Sequence, residues 1–71
     1  MINSENTPRT ELHRLIGIRE RAEKSISNGN PNKQKDYDEA EKDVKELLLQ
    51  HPELEVEVET VEEHFIKLLY S

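Results

Sequence analysis

The side chains able to do acid–base or ligand chemistry in this chain are sixteen carboxylates, ten Lys/Arg and three histidines, with no cysteine. General acid–base catalysis needs a carboxyl group held in a pocket that shifts its pKa. The densest run of carboxylates, six between Glu53 and Glu63, falls on a thin amphipathic segment where it projects into water. Zinc needs three or four ligands converging at about 2 Å. His13, His51 and His64 contain no i,i+3 or i,i+4 pair, although His64 follows Glu62 and Glu63. The two glycines are twelve residues apart, so they form no phosphate-cradling loop. The absence of cysteine excludes disulfides and thiolate metal sites and fits a reducing compartment. The expectation is a non-enzymatic protein with no catalytic residue, no cofactor and no metal.

The charge is instead arranged for association. Residues 1–35 carry seven Lys/Arg and four Asp/Glu, and residues 36–71 carry three and twelve, a net +3 against −9. The basic residues Arg9, Arg14, Arg19, Arg21 and Lys24 could touch nucleic acid. With a net charge of −6 and three aromatic residues, however, the chain lacks the footprint of a nucleic-acid binder. They are expected to pair with acids of the later segments. The start, Met1 to Asn6, has no basic region and no apolar run, so it reads as a loose tail rather than a signal peptide. The longest apolar stretch is Leu47-Leu48-Leu49, far from a membrane span. A cytoplasmic location is expected.

The elements that must position these charges are helices. Thr7-Pro8 reads as a cap followed by proline at the first helical position. Leu12, Leu15, Ile16, Ala22 and Ile26 then share a stripe that Arg19 crosses, with Gly17 on the outer face and Glu20–Lys24 as an i,i+4 pair. Ser27-Asn28-Gly29-Asn30-Pro31 ends that helix. A second helix has two candidate starts: Asn30-Pro31, and Asp36-Tyr37-Asp38-Glu39 as a variant capping box, which is the firmer signal. Its stripe is Tyr37, Ala40, Val44, Leu47, Leu48 and His51, and Pro52 ends it.

Residues 53–60 carry two patterns. Leu54, Val56, Val58 and Thr60 alternate with Glu as in a strand, which would pair with its own copy in a dimer. Leu54, Val58, Val61, Phe65 and Leu68 step by 4, 3, 4 and 3 as in a helix. Glu favours helix, and no other segment alternates, so the helical reading is preferred. The expected fold is all-α: a small up-down-up three-helix bundle with helices at about 8–28, 34–51 and 53–70. It forms a single domain over 7–71 after a flexible tail at 1–6, with self-association through the last helix left open. The core would also take in Leu69.

Lys33-Gln34-Lys35-Asp36-Tyr37-Asp38-Glu39-Ala40, continuing to Leu48 and Pro52, resembles the second helix of a tetratricopeptide repeat. Ala40 and Pro52 match the positions where that family packs an Ala against the preceding helix and closes the repeat with Pro. The resemblance covers residues 33–52. The preceding segment departs from it at Asn28-Gly29-Asn30-Pro31, lacks the family's aromatic and Gly positions, and no second repeat follows. It implies a helical-hairpin surface that binds protein.

Val56, Ile66 and Tyr70 fall off the core seam of the last helix, and Leu49 and Ile18 are likewise off their stripes. Val56, Ile66 and Tyr70, with Glu55, Glu59, Glu62 and Glu63, define the expected partner-binding face. The expected role is a small regulator or inhibitor covering a basic surface of a protein target, including one that otherwise holds nucleic acid, without membrane or direct nucleic-acid contact. The alternatives are a self-associating structural or adaptor module and a small-ligand binder.

Overall fold

The computed structural model describes residues 7–70, so the tail expected at 1–6 lies outside the described residues. Three helices, α1 (Pro8–Ser27), α2 (Gln34–Gln50) and α3 (Glu55–Tyr70), are joined by single 3-10 turns at Pro31–Lys33 and Pro52–Leu54. No strand occurs among the described residues. The alternating segment 53–60 is therefore helical: its period-4-3 seam finds a core to face, while no second strand among the described residues is there to satisfy an extended backbone.

Each boundary has a local cause. Thr7 is extended, and its side chain accepts from the Thr10 N–H at 3.2 Å, with Pro8 opening the helix. At the other end Gly29 takes φ +99°, and the Gly29 and Asn30 N–H groups return to the carbonyls of Ile26 and Ser25. That pair of bonds is a Schellman motif, which needs a left-handed residue where Gly29 stands. The second helix starts at Gln34 rather than Asp36. Pro31 nucleates a 3-10 turn that runs directly into it, so Asp36 is already on helical backbone and makes no cap. It instead lies 3.7 Å from Lys33, in the first turn. His51 takes φ −135° before Pro52, and α2 stops there.

α1 is the central helix. Arg9 reaches Glu57 near the start of α3 and Lys24 sits over Tyr70 at its end, so α1 and α3 run the same way. Ala22 and Ser25 share a groove with Lys33 and Asp36, and Glu11 and Leu15 share one with Leu47 and Gln50, so α2 runs opposite. Leu12, Leu15 and Ile16 meet Val44, Leu54 and Val61 in the core, with Leu47, Leu48, Val58 and Phe65 half-buried around them. Ala22 and Ala40 are also buried.

Two expectations for α1 fail for one reason, its being covered on two sides, and a third fails on α3. Gly17 is buried, not outward; a Cβ there would stand 2.8 Å from Cζ of Phe65. The face of α1 that is outer relative to α2 is the face α3 packs on. Glu20 is buried at 5% exposure and pairs with Arg19 rather than Lys24. Leu68 is 62% exposed while Leu69 is half-buried. A strict seven-residue seam drifts about 20° per heptad on a straight helix, so by the end of α3 Leu68 has rotated out and Leu69 in. Among the described residues no helix is long and apolar enough to cross a membrane.

Candidate functional site: the outer face of the last helix

At 100° per residue, Val56, Glu59, Glu63, Ile66 and Tyr70 fall within an arc about 80° wide, opposite the core. They step by 3, 4, 3 and 4, the spacing of a second seam. All five are exposed, with Val56 at 81%, Tyr70 at 50% and Ile66 at 45%. Glu55 lies on its flank and is also exposed. Six of the seven residues expected at a binding face are thus brought together on one open side. Glu55, Glu59 and Glu63 have no ion-pair partner among the described residues.

Glu62 is placed elsewhere. It turns inward and accepts a hydrogen bond from Nη2 of Arg19, which also reaches Glu20 at 3.2 Å. The Arg19 and Glu20 side chains are nearly closed to solvent at 11% and 7% exposure, and Glu62 is a third exposed. Burial works against the Arg19 charge, but its hydrogen bonds to Glu62 and Glu20 outweigh that and hold the guanidinium above its ordinary value. Burial raises the Glu20 carboxyl above the usual carboxylate range, partly offset by Arg19, with Glu23 and Glu62 adding repulsion. Burial also raises the Tyr37 hydroxyl, with help from Glu41 and Glu23.

Glu57 likewise serves the fold. Arg9 Nε donates to it at 2.7 Å, which holds its carboxyl below the usual range. Both side chains are solvated, so the pair is a weak clamp. With Arg14–Glu11 on α1, most of the pairs made by the basic block are accounted for, two of them across to α3. Arg21 lies over the Phe65 ring at 5.7 Å from its centroid, so that ring is held between Arg21 and the backbone at Gly17.

Sequence reasoning missed one depression. Arg9, His13, Val56, Glu57, Thr60 and His64 line an open groove of about 600 Å³ between α1 and α3. It brings together two histidines far apart in sequence; the only available signal was that Glu57 and Thr60 stand one turn apart on the side of α3 nearest His64. Among the described residues no group of three or more His, Asp or Glu could hold a metal ion. His64 stacks edge-on against Phe65 at 5.1 Å.

Fold and face together define a small all-α protein whose outward helix carries unpaired acids between exposed apolar residues. Comparison with protein-family models, with curated proteins and with solved structures gives no match to this chain.

Proposed function

We propose that this is a non-enzymatic protein-binding module that works in the cytoplasm and docks a basic, partly apolar surface of a target protein onto the outer face of α3. It would act as a small regulator or inhibitor by covering that surface, including one that otherwise holds nucleic acid. The observation that carries this reading is the Val56–Glu59–Glu63–Ile66–Tyr70 stripe: exposed apolar residues at both ends and, in the middle, two exposed acids without an ion-pair partner among the described residues. Exposed acids of this kind steer encounter with a basic partner, and the apolar ends hold it once docked.

A second copy fits this stripe poorly. Antiparallel pairing of α3 with itself would bring Glu59 and Glu63 of both chains together at the centre, and like charges across a seam oppose association. The experiment is affinity capture from the native host with wild type, Glu59→Lys/Glu63→Lys and Val56→Asp/Ile66→Asp, followed by titration of the purified partner. Binding that is lost in both variants and weakens steeply with salt is the expected result. A partner retained equally by all three proteins would overturn the reading.

A further inference from the structure

The inner side of α3 shows what satisfies a mixture of apolar residues and acids on this helix. There Val61 shares the core with Leu12 and Ile16 of α1, while Arg9 and Arg19 of α1 take Glu57 and Glu62. The cover is itself a helix, apolar along one stripe and carrying cations beside it. The outer side repeats the mixture with exposed residues: Val56, Ile66 and Tyr70, with Glu59 and Glu63 between them. Steps of 3, 4, 3 and 4 are the a/d spacing of a heptad, which keeps a row of side chains facing a neighbouring helix. From Val56 to Tyr70 the row runs about 21 Å, or about four turns. A second helix meets such a row by seating its own side chains between those of α3.

The acids at the centre of the row fix the chemistry of that helix. Glu59 and Glu63 stand one turn apart and have no ion-pair partner among the described residues. Like charges at this spacing repel each other in the free helix. An apolar cover would strip both of water without a countercharge, a costly arrangement. A helix closing over them therefore places Lys or Arg against each. Val56 at one end, and Ile66 with Tyr70 at the other, call for apolar residues opposite. A nucleic acid or an anionic lipid surface would instead meet the centre of the row with like charge.

We infer that the element docked by this face is a single amphipathic α-helix of the partner protein, about four turns long, with two Lys or Arg one turn apart between apolar residues. It lies along the outer side of α3 as α1 lies along the inner side, so that α3 is held between two basic helices. The inference rests on the docking role proposed above for this face and adds the form and charge pattern of its occupant.

The probes are two synthetic peptides of about 22 residues on an Ala- and Gln-rich helical background, one for each direction along α3. Each carries Leu, Lys, Lys, Leu and Leu at the spacings of the row. Titrated into the full chain at physiological salt, one of them should bind with a Kd of about 10–100 µM and gain helical circular dichroism as it does. Exchanging its Lys and Leu positions, or placing Pro between the two Lys, should weaken binding at least about tenfold. Glu59→Lys/Glu63→Lys should lose the Lys-centred peptide and bind its Glu-centred counterpart instead, and Val56→Asp/Ile66→Asp should bind neither. All four positions are exposed, and matching circular dichroism of the free variants will show that the fold is retained. No binding of either peptide up to about 1 mM, equal binding of the exchanged or Pro-containing peptide, or no recovery with the Glu-centred peptide would each overturn the inference. The docking role of the face would survive such a result if both double variants still lose the partner captured from the host.

Discussion

The two sides of α3 carry the same residue type to different ends. On the inner side Glu57 and Glu62 are bound to Arg9 and Arg19 of α1, so these acids tie the acidic half of the chain to its basic half. On the outer side Glu59 and Glu63 have no partner among the described residues and stand between exposed Val56, Ile66 and Tyr70. An acidic run in a sequence is thus not one surface: a helix sorts it by angle into acids that hold the fold and acids left for something else. Inner substitutions should change stability, and outer ones should change binding alone.

The largest effect is expected at Arg19. Arg19→Met leaves Glu20 and Glu62 without a countercharge in a nearly closed seam, at a cost of about 3–5 kcal/mol. That is comparable to the whole stability of a core this small, roughly 3–5 kcal/mol. Urea unfolding followed by circular dichroism should find the variant largely unfolded. Arg19→Met/Glu20→Leu should recover much of the loss, because apolar residues often replace buried charge pairs well. A stable Arg19→Met protein would show that the inner acids do not depend on it.

Next is the contact of Phe65 with Gly17. Phe65→Ala should cost about 2–4 kcal/mol, below the value for a fully buried ring because Phe65 is half-buried. Gly17→Ala gains about 1 kcal/mol of helix propensity but drives a methyl into the ring, for a net loss of about 1–2 kcal/mol. In a Phe65→Leu background that loss should shrink, which a double-mutant cycle will read. Stabilisation by Gly17→Ala alone would mean that the ring does not rest there.

The pH dependence separates the inner acids from one another. Arg9 depresses the Glu57 pKa, so that pair contributes stability at neutral pH that is lost as pH falls through the folded value, below the ordinary carboxylate range. Glu20 is opposite. Its raised pKa means its contribution is present below the ordinary value and is lost as pH rises through the folded one. Glu20→Gln should therefore raise the melting temperature at pH 7 relative to wild type and bring no such gain near pH 4. Arg9→Ala should lower the melting temperature slightly at low salt, and the difference should vanish at high salt. An equal effect of Arg9→Ala at both salt levels would point to packing rather than charge.

Much of this architecture was readable in the sequence. Thr7-Pro8, Gly29 and Pro52 set boundaries through backbone geometry alone, and the structure keeps all three. The helical reading of 53–60 rested on a seam that continued to Leu68; the helix holds, although Leu68 itself is exposed. What the sequence hid were relations between helices. A single stripe on α1 assigns Gly17 to solvent; only the position of α3 shows that α1 is covered twice. Arg19 crossing an apolar stripe was visible, but its two carboxylate partners are set by packing across α1 and α3. For the outer face, periodicity grouped Val56, Ile66 and Tyr70 with the acids, and Glu62 was grouped with them because its angle lies at the boundary between open and covered sides. Arg19 pulls it inward.

The most direct test of the division between the two sides is the association rate of Glu59→Lys/Glu63→Lys with the purified partner. It should be followed by stopped-flow at low and physiological salt, beside the variant's urea stability. The account predicts unchanged stability, because both residues are exposed and unpaired, and an association rate reduced at least about tenfold, with most of its salt dependence gone. A variant that associates at the wild-type rate at physiological salt would contradict it, and the outer acids would then be no more than a solvated surface.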